Sequence, residues 1–399
     1  MAPYVIALLG ADGGDFVHRM RTDVQTALDA RVTQLGLEPG VDVLVVDETT
    51  YPPDLDADVP IAGVYFGAPT QSDASVAAAQ DLIARGAYVL PVVSEHVHFT
   101  THVPALLHTI NGDRPDPGGE LAQRVASRVV EHLGLLRRRR LAFISYKRAE
   151  STGVASQLHD ALEARGFEVF LDTYSVEKGV EFQPVLWDRL ADADLLVLLD
   201  TKTALTSRWV EEEVSRATMM GLALLQLVWP GHDRTPGTEA CDPVYLGPGD
   251  FEAPGPDDAG GTLGAPRLAK LVSQAEDLRA RAFAVRRMRL VGEVQRLASA
   301  HRLGVAVRTD RGLDVTSAHG LRARLLPLVG HPDAVQMQSA HTVCTTTDPV
   351  PEARVLYDPI GMLAAKAAHL HWLNEFLPLR ALPLDEVGAC LSMWSKFAS

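Results

Sequence analysis

Phe143-Ile-Ser-Tyr-Lys-Arg148 is an apolar run that ends on an aromatic residue and two cations. Leu141–Tyr146 has the length and the side chains of a buried strand. Beyond it, Val154, Leu158, Ala161 and Leu162 share one face of a helix over Gly153–Arg165, and Gly166 stops that helix. The pattern continues as a strand at Glu168–Leu171, a helix at Val180–Leu190 and a strongly apolar strand at Leu195–Leu199. A helix at Arg208–Met220, closed by Gly221, and a strand at Leu222–Val228 complete it. Strands alternating with helices predict an α/β unit with a parallel sheet and crossover helices.

The chain on the N-terminal side reads the same way. Strands are expected at Tyr4–Leu9, Val41–Val46, Ile61–Phe66 and Tyr88–Val93, with helices over 16–34, 73–85 and 119–136. Ala57-Asp58 and Ala191-Asp192 each precede a strand, a helix, a glycine (Gly86, Gly221) and a further strand at nearly equal spacing. Two readings stay open: duplicated doubly wound units, or two flavodoxin-like folds that share such spacing without duplication. Under duplication Trp209 maps to Ala74 and Glu213 to Ala78.

On the C-terminal side, residues 230–266 hold seven prolines and eight glycines, which predicts a long surface loop. Helices follow over 267–300. Strand-like runs come at Gly304–Val307, Ala323–Leu328 and Arg354–Tyr357, then a helical tail with Trp372 and Trp394. The expected organisation is an N-terminal α/β domain over 1–136, a central one over 137–285 that includes the loop, and a smaller α/β or α+β domain over 286–399.

A length of 399 residues fits two to three domains. With 47% hydrophobic and 22% charged residues the composition is globular and excludes a disordered chain. No uncharged apolar run reaches the roughly 18 residues of a membrane span. The N-terminus lacks a basic region and meets Asp12 early, so it reads as a strand and not as a signal peptide. Three cysteines are too few for a disulfide framework and show no metal-ligand spacing, and a reducing cytoplasm is the expectation. A net charge of −14 disfavours generic duplex binding and leaves room for a discrete basic pocket.

Ser207-Arg-Trp-Val-Glu-Glu-Glu213 completes the informative set, with FISYKR and with Phe170-Leu-Asp172 followed by Gly179-Val-Glu-Phe182. In this order the three motifs resemble the Toll/interleukin-1 receptor (TIR) domain, over about 90 residues of the chain. The resemblance implies a flavodoxin-like parallel sheet. It leans toward the branch that cleaves the nicotinamide–ribose bond of NAD, in which the residue four after the helix tryptophan is the essential glutamate. Here that position is Glu213. By the same likeness Tyr146, Lys147, Arg148, Asp172, Phe182, Ser207 and Trp209 face the substrate. No metal and no cofactor beyond NAD as substrate is implied. The family also implies assembly into homo-oligomers or filaments, a role in bacterial defence against phage, and a nucleotide or phage-derived trigger acting on the flanking domains. Two other readings stand beside this one: a non-enzymatic TIR scaffold, and a nucleotide second-messenger sensor.

The residue chemistry agrees with the likeness. On a helix Trp209 and Glu213 are i and i+4, so their side chains lie about 5–6 Å apart on one face. An indole can stack on a cationic ring, and a carboxylate can stabilise the positive charge that grows on a ribose as its bond to that ring breaks. Each residue has a plainer reading as well. Glu211, Glu212 and Glu213 suit a helix start, Trp209 and Tyr146 suit a core, Lys147 and Arg148 suit a solvated strand end, and Asp172 suits a turn. In the common family pattern an aspartate follows the first strand; here the string is Arg148-Ala149-Glu150. Elsewhere, Gly10–Gly14 is a weak phosphate loop, and His331, His341, His369 and His371 lack metal spacing. Arg137–Arg140 reads as a charged linker. Arg279, Arg281, Arg286, Arg287, Arg289, Arg296 and Arg302 read as a solvated face or as a site for an anionic nucleotide or an acidic partner.

Overall fold

A computed structural model describes residues 4–10, 14–52, 55, 59–115, 120–173, 190, 192–203, 214–215, 217–308, 310–320, 322–346 and 350–396, with Asp172 and Thr173 described by their backbone. The chain divides into two compact units, Met1–Arg138 and Arg139–Ser399.

In the first unit, strands β1 (Tyr4–Leu9), β2 (Val43–Val46), β3 (Ile61–Phe66) and β4 (Tyr88–Val92) form a parallel sheet of order β2-β1-β3-β4. Helix α1 (Gly14–Gln34) packs on α4 (Leu121–His132), and α2 (Asp73–Ala84) packs on the strands. A short helix, α3 (Phe99–His102), lies between β4 and α4. Continuous apolar runs form these strands because a parallel sheet is covered on both faces; all six residues of β1 are buried.

The second unit opens with the parallel sheet β6-β5-β7-β8-β9, made of β5 (Leu141–Tyr146), β6 (Glu168–Thr173), β7 (Leu195–Asp200), β8 (Ala223–Val228) and β9 (Asp242–Tyr245). Strand β9 falls inside the stretch expected to be a loop. It pairs only with β8, at the sheet edge, where Pro243 costs no central ladder bond. Helix α5 (Arg148–Glu163) packs on β5 and β6. The order around β5 is the doubly wound one: β6 lies on one side of β5, and β7 on the other.

Helix α6 (Ala265–Ala300) spans 36 residues without a break. Its first part packs on α5, β7 and β8, its second part on a further sheet, and residue 285 lies within it. That sheet has the order β10-β11-β12-β13-β14. Strands β10 (Gly304–Val307), β11 (Leu313–Thr316) and β12 (Arg322–Pro327) are antiparallel; β12, β13 (Glu352–Tyr357) and β14 (Arg380–Pro383) are parallel. Helices α7 (Ala334–Thr346), α8 (Ala364–Phe376) and α9 (Val387–Lys396) complete the unit.

The arginines of α6 are neither a uniform solvated face nor an open anion site. Arg279 is 2% exposed; its Nε lies 3.4 Å from the buried Asp194, and it donates to the Arg139 carbonyl at 3.2 Å. Arg287 is buried and donates to the Arg311 carbonyl. Arg289 pairs with Asp358 at 3.1 Å, and Arg296 with Glu293. The expected charged linker is corrected in the same way. Arg140 is buried and paired with Glu276 of α6 at 3.0 Å, and Arg139 reaches Glu168 and Asp192. Both Arg140 and Arg279 lie over the Phe167 ring. The physical cause is the course of α6 across the amino edge of the sheet: long aliphatic stems are buried there only when each guanidinium finds acceptors.

Among the described residues no helix is long and apolar enough to cross a membrane. Among them, too, no group of three His, Cys, Asp or Glu side chains could hold a metal ion.

Candidate functional site

In an open parallel sheet, ligands bind at the carboxyl ends of the strands where the strand order reverses. In the second unit that place lies between the ends of β5 and β7, because the neighbours of β5 are β6 and β7. Tyr146 ends β5, and Asp200 ends β7.

The turn after β5 is built locally. Lys147 is extended (φ −102°, ψ 117°) and caps α5, and its carbonyl accepts from the amides of Glu150 and Ser151 at 3.0 Å each. Helical geometry breaks at Ser151 (φ −151°, ψ 27°), which sets the first turn, 148–150, apart from the rest of α5. At that break the Gly153 amide donates to the Ala259 carbonyl at 2.7 Å. A Cβ on Gly153 would lie 2.4 Å from the Gly261 oxygen and 2.5 Å from the Gly260 oxygen, so only glycine admits this approach. Gln157 exchanges two hydrogen bonds of 2.8 Å with the Leu263 backbone. The Pro/Gly-rich stretch is therefore docked on α5 beside the site.

Lys147 and Glu150 both turn toward the chain that leaves β7. Lys147 Nζ donates to the Thr203 carbonyl at 3.1 Å and to the Thr203 hydroxyl. Glu150 Oε2 accepts from the Thr203 amide at 3.1 Å, and Oε1 accepts from the Thr203 hydroxyl. Lys147 Nζ and Glu150 Oε1 are 3.6 Å apart. Burial pushes the Glu150 carboxyl up, but the Thr201 and Thr203 hydroxyls, the Thr203 amide and the Lys147 charge outweigh it and hold the group below its ordinary value.

The site residues expected from sequence fall into three groups. Lys147 and Arg148 meet at the strand end, Lys147 half-buried and Arg148 exposed. Tyr146 is 6% exposed and packs in the core with Ile144, Val154 and Leu199, as its plainer reading has it. Asp172 is described by its backbone, which pairs with Ser145 of β5. Phe182, Ser207, Trp209 and Glu213 lie outside the described residues.

Two features escaped sequence reasoning. The first is Glu150 as partner of Thr203. The second is a buried polar network around Asp200, which is 0% exposed. Asp200 accepts from Gln226 Nε2 (2.7 Å), the Thr235 amide (3.0 Å) and the Thr235 hydroxyl (2.7 Å), with His232 Nε2 at 3.1 Å. The available signal was an acid at the end of the apolar strand β7 and an amide inside the apolar strand β8. Next to this network, Trp229 Nε1 donates to the Pro256 carbonyl at 2.9 Å and its ring meets Phe251 edge-on at 5.2 Å, which ties down the loop after β9.

Comparison with known proteins gives one family. The model described as TIR domain matches residues 142–235. Among curated proteins none matches the chain. Similar solved structures include a two-component system response regulator/GGDEF domain protein, at 14% identity over 70% of this chain and 99% of that one, TM-score 0.28. Proximal thread matrix protein 1 from the mussel byssus follows at 10% identity over 70% and 96%, TM-score 0.24. Tagatose-6-phosphate ketose/aldose isomerase from Escherichia coli is at 13% identity over 71% and 83%, TM-score 0.20. At these scores the structural likenesses carry no functional argument.

Proposed function

Residues 142–235 are a TIR domain, and from that premise we propose that the chain is an NAD glycohydrolase, releasing nicotinamide and leaving ADP-ribose or its cyclic form. The observation that carries the reading is the register of Glu213, four residues after Trp209, inside the matched domain.

Nicotinamide leaves as a neutral molecule from a cationic pyridinium, so the leaving group requires no general acid. Trp209 stacks on the pyridinium, an attraction of about 0.5–2 kcal/mol that grows as water is excluded. The Glu213 carboxylate hydrogen-bonds the ribose hydroxyls and stabilises the oxocarbenium-like charge that develops there. Ser207 and Asp172 add polar contacts, and Phe182 closes over the ring. Arg148, exposed at the start of α5, meets the pyrophosphate together with the Lys147 charge. Tyr146 forms the floor beneath them. Activity depends on association of TIR domains, because the Gly179–Phe182 loop completes a neighbour's site, and the domains on either side receive the trigger.

A fluorescent NAD analogue tests the reading. Crowded wild-type protein turns it over and Glu213→Ala does not. Absence of turnover in both leaves a TIR scaffold that recruits another protein.

A further inference from the structure

Helix α8 carries two apolar stripes, and the fold covers one of them. Leu370 is buried, and Leu373 packs beside it on a core shared with Met337 of α7, Val355 of β13 and Ala381 of β14. On the same side, Asn374 donates through Nδ2 to the Ala381 carbonyl at 2.9 Å and accepts from the Ala381 amide at 2.7 Å. Those two bonds fix the helix. They also occupy the outer edge of β14, whose partner in the sheet is β13, so strand addition is blocked there. The second stripe faces outward: Ala365, Ala368, Trp372 and Phe376 recur at helical spacing, and all four are exposed. Trp372 is 53% exposed and Phe376 67%. Their ring centroids lie 5.1 Å apart, and the His369 ring stacks on Trp372 at 5.9 Å. A helix that is apolar on both sides belongs in a core, and an aromatic ladder standing in water marks an interaction surface.

We propose that this stripe docks on the same stripe of a second copy of the chain, the two α8 helices running antiparallel about a twofold axis. The stripe is divided by size, with Ala365 and Ala368 in its first half and Trp372 and Phe376 in its second. An axis between Leu370 and His371 sets Trp372 against Ala368 of the second copy and Phe376 against Ala365 of the second copy. Each ring then meets a hollow, and the match occurs twice. A parallel pair would set ring against ring and hollow against hollow. Charge selects the same occupant. Each copy carries a net charge of −14, so two copies repel over most of their surface. Helix α8 adds no net charge, with Lys366 and Glu375 its charged residues, and α7 has none. The antiparallel register keeps the two Glu375 residues about 13 Å apart along the helix. With one cation over both helices, the face offers little to a nucleic acid or an anionic membrane.

The docking does not rest on the NAD-cleaving reading, but its consequence for activity does. Helix α6 carries the TIR sheet and this sheet in one compact unit. A pair joined through α8 therefore holds two TIR domains in one assembly and raises their local concentration.

Sedimentation velocity on the full chain, from nanomolar to high micromolar concentration, tests the proposal. Hydroxyl-radical footprinting of Trp372 and Phe376, read by peptide mass spectrometry, is run at both ends of that range. Ala368→Glu puts a carboxylate into the hollow that receives Trp372 while keeping a good helix former. Phe376→Ala removes a ring. Ala367→Glu is the control: it adds the same charge at an exposed position about 140° around the helix from Trp372. The expected result is a monomer–dimer equilibrium in the wild type and in Ala367→Glu, with both rings protected in the dimer. Ala368→Glu and Phe376→Ala each raise the dissociation constant at least about tenfold. A wild type that is monomeric throughout, or a dimer that Ala368→Glu leaves intact, overturns the proposal. So do rings protected equally at both concentrations, which assigns their cover to another part of the same chain. A dimer lost in Ala368→Glu, from a wild type that turns over no NAD, sustains the docking and removes only the reading of activity.

Discussion

Glu150 is a carboxylate whose surroundings decide its charge. Burial favours the neutral acid, but the hydroxyls of Thr201 and Thr203, the Thr203 amide and the Lys147 charge win, and its folded-state value is depressed. A depressed carboxyl contributes stability that is full above its unfolded value, about 4.3. The contribution is lost as pH falls through the lower folded value. The Tm difference between wild type and Glu150→Gln should therefore be flat from neutral pH to about 5, then shrink toward zero in stronger acid. A difference that grows on acidification contradicts the assignment. Cys241 shows the opposite effect of burial: its thiol is 5% exposed and pushed up to about 11. It should resist alkylation at pH 8 in the native protein and react on unfolding, which peptide mass spectrometry reads directly.

At the scale of elements, α5 and α6 carry the architecture around the site. Gly153 lets the stretch at 259–261 dock on α5. Gly153→Ala should displace that stretch and destabilise the chain by about 1–3 kcal/mol in urea unfolding, as overpacking does. At the opposite edge, Asp194 accepts from the Leu141 amide at 3.1 Å and pairs with Arg279. Asp194→Ala removes a buried carboxylate that both pairs with Arg279 and accepts from the Leu141 amide, and should cost about 3–5 kcal/mol by the same measurement. The elements legible in the sequence were those with long apolar runs or clear caps, such as β1, β5 and β7. Strands β9, β11 and β14 were not, because each is a four-residue piece containing proline or polar residues and is specified by its neighbour rather than by its own pattern. Helix α6 was legible as helix, but the burial of Arg279 and Arg287 was not: charge in a sequence says exposed unless a partner is in view, and Asp194 is 85 residues away.

At the scale of the molecule, the two units share a theme. The order β2-β1-β3-β4 in the first unit is repeated as β6-β5-β7-β8 in the second, and β9 extends the second sheet. Ala78, which duplication sets against Glu213, is buried in the core of the first unit, so that position has no carboxylate to offer a ligand. Of the candidate site, the strand-end placement of Lys147 and Arg148 was readable from the apolar run before them. The Glu150–Thr203 contact was not, since it joins residues 53 apart with no shared periodicity. The proposed reaction breaks one bond, between nicotinamide and ribose. Its most direct test is chromatographic: nicotinamide released from NAD by concentrated wild-type protein and by Glu213→Gln, side by side. The account predicts release by the wild type and a loss of at least about 10²-fold in the variant. Equal release by both, or none from the wild type at any concentration, contradicts it.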